Sequence, residues 1–285
     1  MRRLLLVHAH PDDETISTGG TIARHADAGV HVTVVTCTLG EQGEVIPDEL
    51  RGLAADFADQ LGGYRVGELR AACAALGVAD QRFLGGIGRW RDSGMVGTAA
   101  NEHPRAFVNG SLDEQVDALA QIVAEVRPQV VVSYDRNGGY GHPDHIRAHE
   151  VTMAAVEGVR DVDAVYWAVV SRSAVQDGLA TLAGFGGLPF PLPAADELPC
   201  VPDEAVTTTV DIGAALPAKV AALRAHATQV SVWEGESDGQ RSYALSNGLA
   251  RPLPAVEQFT LVGGRVDAAQ VRTDLFGGSG PDGEQ

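Results

Sequence analysis

The run Leu4-Leu5-Leu6-Val7 most constrains the fold, because it is apolar without alternation. Such a run is typical of a strand buried on both faces, as in a parallel sheet. The stretch from His8 to Glu14 follows it directly and contains two histidines and three carboxylates. Open α/β sheets bind ligands at the carboxyl ends of their strands. We therefore predict a strand over residues 2–9 that delivers polar side chains to a site at its end.

A second stretch repeats this arrangement far down the chain. The apolar run Val130-Val131-Val132 is followed by Tyr140-Gly141-His142-Pro143-Asp144-His145. If both runs are parallel strands of one sheet, their carboxyl ends lie at the same edge. We interpret the two polar stretches as the two halves of one metal site that hydrolyses an amide.

Strands and helices alternate along most of the chain, which predicts a Rossmann-like, doubly wound α/β fold with a mostly parallel sheet. The predicted strands cover residues 2–9, 32–37, 82–84, 129–134, 165–170, 206–210 and 257–262. The predicted helices cover residues 16–29, 48–62, 65–76, 112–126, 144–156 and 217–225, with a break at Gly62-Gly63. The first strand, helix and strand form a βαβ unit, so the first two strands are expected to be parallel.

We divide the chain into a Rossmann-like catalytic core over residues 1–175 and an extension of the same domain over residues 176–276. Residues 277–285 are Gly-rich and acidic, which is typical of a disordered tail. Residues 85–109 form a long Gly-rich loop, and loops of this length are usually functional or disordered. The Pro-rich residues 189–202 are expected to be extended, as a lid or a spacer.

The net charge of −17 argues against binding to nucleic acid or to an anionic membrane surface. No apolar stretch approaches the roughly 20 residues of a membrane span. The cysteines Cys37, Cys73 and Cys200 are too far apart for a disulfide framework or a CxxC site. We therefore expect a cytoplasmic protein that acts on a small molecule, and we make no prediction of its oligomeric state.

The residue types in the two polar stretches suit a catalytic zinc, which takes three protein ligands and leaves a position for water. Adjacent Asp12 and Asp13 cannot point the same way from extended backbone. We therefore choose His10 and Asp13 as ligands and place Asp12 beside the water. His142 and His145 share a face at a helix start, and either can complete the set. Zinc would lower the pKa of the water to roughly 7, and a nearby carboxylate would take its proton.

Four further polar residues have open roles. The phenol of Tyr140 could donate to an oxyanion. His8 is expected in the core or behind a ligand. Glu14 is expected either as a partner of the helix dipole or as an acceptor for a ligating histidine. His226 is grouped with the surface or structural histidines.

The stretches His10-Pro11-Asp12-Asp13 and His142-Pro143-Asp144-His145 resemble the hallmark of the PIG-L-like family of zinc-dependent N-acetylglucosaminyl deacetylases. Further similarity lies in residues 34–41, 60–65, 88–95, 137–145 and 219–229, so it extends well beyond the metal site. The resemblance implies removal of the acetyl group from N-acetylglucosaminyl-inositol in mycothiol biosynthesis, by attack of a zinc-bound water. Fe²⁺ is the alternative metal, because ligand type alone does not settle selectivity.

The resemblance also implies roles for individual residues. The implied metal ligands are His10, Asp13 and His145. The implied catalytic residues are Asp12 as general base, His142 as general acid oriented by Asp144, and Tyr140 as a mobile polariser of the carbonyl. The residues expected to shape the sugar and inositol pocket are Arg65, Asp92, Glu44 and Met95. The pH profile is expected to be bell-shaped, with Asp12 on the acid limb and His142 on the basic limb.

Two other functions are compatible with the same residues. Amidases that cleave mycothiol S-conjugates resemble this chain, but in them a Lys stands shortly after the His-Pro-Asp-Asp-Glu segment. Ser17 occupies about that place here, with Ile16 before it. We therefore predict a deacetylase with slower amidase activity. A sugar-binding module whose metal only orders the site is the non-enzymatic alternative, which tight binding without acetate release would favour.

Overall fold

The computed structural model describes residues 1–194, 196–237, 239–265 and 272–277. A seven-stranded sheet forms its centre, and a three-stranded antiparallel sheet lies apart from it. The strands are β1 (Arg3–His8), β2 (His31–Thr36), β3 (Asp80–Phe83), β4 (Val130–Ser133), β5 (Ala164–Val169), β6 (Thr208–Asp211), β7 (Ser231–Glu234), β8 (Arg241–Ala244), β9 (Arg251–Pro252) and β10 (Val256–Gly264). The helices are α1 (Asp13–Asp27), α2 (Leu61–Ala75), α3 (Leu112–Val126), α4 (Gly138–Gly141), α5 (Pro143–Val156), α6 (Arg172–Ala183) and α7 (Leu216–Ala225).

The large sheet has the strand order β3-β2-β1-β4-β5-β10-β6. The first five strands in this order are parallel, whereas β10 pairs antiparallel with both β5 and β6. This confirms the predicted Rossmann-like, mostly parallel sheet. The order reverses between β1 and β4, which is the switch point where doubly wound sheets bind ligands.

Strand β1 is buried on both faces, as its continuous apolar run predicts. Leu4 and Leu6 pack on one face with residues of α1, α2 and α7. Leu5 and Val7 pack on the other face with residues of α3 and α5. Since successive side chains of a strand point to opposite faces, one short run supplies both cores. Two layers of helices therefore hold the carboxyl end of β1 in place.

The part of the chain after residue 175 adds to the large sheet and also builds the small one. Strands β6 and β10 extend the large sheet beyond β5. Strands β7, β8 and β9 form the small sheet, where Tyr243 packs with Leu223 and Val230. Neither the small sheet nor α6 was predicted. The division at residues 175 and 276 stays a prediction, and residues 278–285 of the predicted tail lie outside the described residues.

The predicted helix over residues 48–62 is wrong. The structure has a short 3₁₀ helix at Asp48–Leu53, and α2 begins at Leu61 and continues through the predicted break at Gly62-Gly63. Gly62 belongs to the first turn of α2, where a Cβ atom would lie 2.7 Å from Cγ of Glu41 and 2.9 Å from Cβ of Leu39. The glycine therefore allows a close approach between α2 and the loop after β2, and it does not end a helix.

Other boundaries move by a few residues. Helix α1 begins at Asp13 and not at Ile16, so the carboxylates after β1 lie in its first turn. The loop over residues 85–109 contains short 3₁₀ turns at Ala99–Glu102 and Phe107–Asn109 and a single β-bridge between Arg91 and Ala106. The described residues between 189 and 202 contain no helix and no strand. Among the described helices, none combines the length and the apolarity that a membrane span requires.

Candidate active site

The two polar stretches meet at the carboxyl ends of the neighbouring strands β1 and β4. His10 lies in the turn after β1, and Asp13 opens α1. His142 is the N-cap of α5, and Pro143 stands in its first turn, as Pro favours. His145 therefore points from the first turn of α5 toward the end of β1. All four side chains are nearly or fully buried.

Three potential ligand atoms form an equilateral triangle. Nδ1 of His10 lies 3.3 Å from Oδ2 of Asp13, and Nε2 of His145 lies 3.3 Å from the same oxygen. Nε2 of His145 also lies 3.3 Å from Nδ1 of His10. Ligand bonds of about 2.0–2.2 Å in a tetrahedral site place the ligand atoms roughly 3.3–3.6 Å apart. The triangle thus fits one face of a tetrahedral metal site.

The face of His10 away from the triangle contacts two carboxylates. Its Nε2 lies 3.2 Å from Oδ2 of Asp144 and 3.4 Å from Oδ1 of Asp92. Both carboxylates are anchored in turn, since backbone N–H groups of Ser93 and Gly94 donate to them. An imidazole whose second nitrogen meets a carboxylate is held in the tautomer and orientation that a metal needs. Asp92 and Asp144 therefore orient His10 from the side opposite the triangle.

Tyr134, which directly follows β4, supports the other two corners of the triangle. Its hydroxyl donates to Oδ2 of Asp13 at 2.7 Å and accepts the backbone N–H of Ala9 at 2.8 Å. Its ring stacks on that of His145 with the centroids 4.2 Å apart. Nδ1 of His145 lies 3.1 Å from the carbonyl oxygen of Gly138, which leaves Nε2 for the triangle.

The charges of the site favour a cation at the triangle. Burial alone would raise the pKa of Asp13, but His145 and His10 hold that pKa well below its usual range. Burial would lower the pKa of His10, but Asp92, Asp13 and Asp144 raise it well above the usual value. The carboxylates around His10 therefore favour a positive charge there.

Two other groups of residues also come close together. The rings of His10, His142 and His145 approach one another, and His10 approaches Asp92 and Asp144. Nδ1 of His142, however, already accepts the backbone N–H of Asp144 at 3.1 Å. The triangle of His10, Asp13 and His145 remains the set whose atoms are equidistant.

Asp12 directly precedes Asp13 and is the N-cap of α1. Its carboxylate is 3.2 Å from a guanidinium nitrogen of Arg65. Burial raises the pKa of Asp12 to about 6, and the charge of Arg65 acts in the opposite direction. The carboxylate is therefore ionised at neutral pH and remains basic enough to take a proton.

Two observations bear on the predicted role of His142 as general acid, which stays a prediction. Burial, followed by the charges of His10 and His145, lowers the pKa of His142 to about 3, which favours a neutral ring at pH 7. The carboxylate of Asp144 contacts His10 and accepts the backbone N–H of Ser93. Asp144 contacts the ring of His142 through its backbone N–H, which donates to Nδ1. Tyr140 is half exposed, with its ring 6.0 Å from that of His142.

The four predicted substrate-binding residues fall into two groups. Arg65 and Asp92 are buried, and both are engaged by protein groups. Arg65 donates to the carbonyl oxygens of Gly40 and Pro11, and Asp92 accepts the backbone N–H groups of residues 42 and 94. Glu44 and Met95 are exposed. Glu44 lies on the same loop as Gln42 and Met95 on the same loop as Asp92, and the hydrogen bond from the Gln42 N–H to Asp92 joins these two loops.

Sequence reasoning missed several supporting residues. Tyr134 went unnoticed, although its position at the end of a predicted parallel strand was a usable signal. His226 is not at the surface but fully buried, with Nε2 2.8 Å from Oε1 of Glu14. Glu14 thus accepts from His226 and not from a ligating histidine. His8 is buried, and its Nε2 meets the hydroxyl of Thr18.

A family model described as PIG-L: GlcNAc-PI de-N-acetylase matches residues 5–156, which include both polar stretches. The chain belongs to this family. Relatives within it include the 1D-myo-inositol 2-acetamido-2-deoxy-alpha-D-glucopyranoside deacetylase 1 of Saccharopolyspora erythraea, 63% identical over 99% of this chain and 96% of the relative. The corresponding deacetylase of Actinosynnema mirum is 63% identical over 98% of this chain and 97% of its own. The chain is therefore a deacetylase of this family.

Solved structures show the same fold. A deacetylase in complex with teicoplanin, from teicoplanin biosynthesis, superposes with a TM-score of 0.55 at 21% identity, over 91% of this chain and 96% of that one. The N,N'-diacetylchitobiose deacetylase of Pyrococcus horikoshii gives a TM-score of 0.51 at 20% identity, over 80% of this chain and 70% of that one.

Proposed function

We propose that the chain removes the N-acetyl group from an N-acetylglucosaminyl-inositol and releases acetate. The observation that carries the reaction type is the equilateral triangle of His10, Asp13 and His145 together with the basic carboxylate of Asp12, which directly precedes Asp13. The substrate is proposed from relatives of that name that match nearly the whole chain. We also propose the actinobacterial mycothiol pathway as its context.

Zinc is the metal that we propose for the triangle, held by His10, Asp13 and His145. Two imidazoles and one carboxylate with a fourth position free are typical of catalytic zinc. When bound, the metal would lower the pKa of a water and polarise the acetyl carbonyl. Fe²⁺ binds the same donor types, so metal analysis of protein purified without air is the measurement that distinguishes the two.

Asp12 is the general base in this proposal. Its carboxylate takes a proton from the water that attacks the acetyl carbon and then delivers it to the departing amine of the sugar. Arg65 keeps the carboxylate ionised, while burial keeps its pKa near 6, close to the working pH. One residue can therefore serve both proton transfers, which leaves His142 free for another task.

We assign His142 as a neutral hydrogen-bond donor. Because its Nδ1 accepts the backbone N–H of Asp144, the ring hydrogen resides on Nε2. A neutral N–H that is fixed in place can stabilise the oxyanion that forms at the acetyl carbonyl. Tyr140 stands at the exposed rim and is proposed as the second, mobile donor. This assignment is an alternative to the predicted general acid.

Glu44 and Met95 are the proposed contacts to sugar and inositol, because they are exposed on the joined loops. Arg65 and Asp92 are proposed to act through Asp12 and His10, because protein groups already occupy their polar atoms. We also propose a cytoplasmic location, since the cysteines Cys37, Cys73 and Cys200 are all free.

One enzyme preparation assayed on two substrates tests the function. We expect a higher kcat/KM for acetate release from N-acetylglucosaminyl-inositol than for cleavage of a mycothiol S-conjugate. Loss of one acyl contact typically changes discrimination by about 10–200-fold, so the second activity is expected to be measurable. A higher value for the conjugate would assign the chain as an amidase, and tight binding without turnover would assign it as a sugar-binding module.

A further inference from the structure

The backbone of Asp12 is strained. Its φ is 115° and its ψ is −32°, a conformation that side-chain-bearing residues rarely adopt. Asp59 and Arg127 are the other non-glycine residues with positive φ in the described part of the chain, and their φ values of 54° and 49° are those of ordinary left-handed turns. Such strain persists only where surrounding contacts over-determine the backbone.

Glu14 supplies a contact that holds this backbone. Its Oε2 accepts the N–H of Asp12 at 2.9 Å, two residues earlier in the chain. Its other oxygen, Oε1, accepts the hydroxyl of Thr15 at 2.5 Å and lies 2.8 Å from Nε2 of His226. Glu14 and His226 are both fully buried, so solvent does not compete for these bonds.

The segment His226 to Gln229, which follows α7, continues this support. Its Thr228 donates to Glu68 of α2 through both its backbone N–H and its hydroxyl, at 2.8 and 2.7 Å. Helix α2 also contains Arg65, which holds the carboxylate of Asp12. The segment is thereby tied both to the backbone and to the side chain of Asp12, although it lies outside the family match over residues 5–156.

We propose that His226 is a positioning residue for Asp12. Through Glu14 it holds the strained turn from which the Asp12 carboxylate reaches the site. This inference rests on the proposed function, in which Asp12 is the general base. A His226 that merely ties the core together would affect stability alone, whereas a positioning residue also affects the turnover of the folded, metal-bound enzyme.

Two variants of His226 differ by one methylene group and provide a matched pair. In His226→Gln the amide nitrogen stands near the position of Nε2 and can still donate to Glu14. In His226→Asn the amide is too short to reach it. Both remove the imidazole, so both lose similar packing. His25→Leu is the control, because His25 is also buried but contacts Thr21 and Asp274 at the other end of α1.

The experiment measures kcat and KM for acetate release, bound metal and thermal stability for each variant. We expect kcat of His226→Asn to fall by about 10–100-fold with KM and metal content nearly unchanged, because small misplacements of catalytic groups have effects of this size. His226→Gln is expected to recover most of kcat, and His25→Leu to keep it. A His226→Asn enzyme with the kcat of the parent, or equal losses in Asn and Gln, would overturn the inference.

Asp12→Asn in the same assay separates this inference from the proposed function. If Asp12→Asn is as active as the parent, the assignment of the base is wrong and the role of His226 fails with it. If Asp12→Asn loses turnover while His226→Asn does not, only the positioning role fails.

Discussion

We expect the charge of one carboxylate, Asp12, to determine the acid side of the pH profile. A general base works only when it is ionised, so activity is lost as pH falls through its pKa. Burial raises the pKa of Asp12 to about 6, and a bound cation acts in the opposite direction. We therefore expect an acid limb in kcat/KM at or below about pH 6.

The Asp12→Asn variant provides the control for this expectation. It should keep the metal, because the proposed ligand atoms belong to His10, Asp13 and His145. Its kcat should fall by about 10²–10⁴-fold, the usual contribution of a general base. The acid limb should be absent from its residual activity. An unchanged limb in that variant would show that another group titrates there.

Tyr134 lies behind the proposed ligands Asp13 and His145, so we expect it to support metal binding. Tyr134→Phe removes the hydroxyl bond to Asp13 and keeps the ring stacked on His145. We expect metal affinity to fall by about 10–100-fold, the usual effect of losing a partner behind a ligand. Competition with a chromogenic chelator measures this. The buried Tyr243 of the small sheet is the control, because Tyr243→Phe should leave metal affinity unchanged.

At the scale of elements, helix α1 is joined to α7 and β10 by one buried ion pair. Glu257 accepts the backbone N–H groups of Gly20 and Thr21 in the middle of α1. Lys219 donates to Glu257 at 2.6 Å and to the carbonyl oxygen of Ile16 at 3.0 Å. The pair therefore fixes the helix whose first turn contains Asp13.

We expect Lys219→Met to lower the free energy of unfolding by about 3–5 kcal/mol, because it leaves Glu257 as a buried, unpaired charge. Urea unfolding measures the change. Arg224 of the same helix pairs with Glu234 at the exposed surface, so Arg224→Met should cost less than about 1 kcal/mol. Equal effects of the two substitutions would contradict the structural role of the buried pair.

The elements that sequence could predict are those with a clear hydrophobic pattern. Strands β1 and β4 are continuous apolar runs buried on both faces, so the edge that holds the ligands was predictable. The segment over residues 48–62 is rich in Ala and Leu, which wrongly predicted a helix. The segment packs no apolar face against the sheet. Strands β7 to β9 are two to four residues long, too short for their pattern to stand out.

The supporting contacts of the site are less predictable, for a physical reason. His226 meets Glu14 across 212 residues of sequence, and the contact depends on where α7 packs. No spacing rule relates residues so far apart. The same holds for Arg65, whose guanidinium reaches Pro11 and Gly40 in the fold. Local motifs thus identify the ligands, whereas the packing of distant elements identifies their supports.

At the scale of the whole molecule, we expect the fold that carries the proposed metal site to be stable without the metal. The two hydrophobic cores fill both faces of the sheet and contain none of the ligands. A domain of this size buries enough surface for independent stability. We therefore expect chelation to abolish activity while far-UV circular dichroism stays unchanged, and added zinc to restore turnover.

The thermal midpoint should drop only by the amount that lost ligand binding explains, since a bound metal stabilises the native state by mass action. Global unfolding on chelation, seen as loss of the dichroism signal, would instead indicate a structural metal.

Lys219 is the only lysine in the sequence, and it is 5% exposed in its pair with Glu257. The folded surface of the chain therefore offers no lysine amine to acylating reagents. Lys219 becomes reactive only when α1, α7 and β10 separate, and a group attached there would prevent their reassembly. The fraction of molecules labelled at Lys219 should therefore measure how often this part of the core opens.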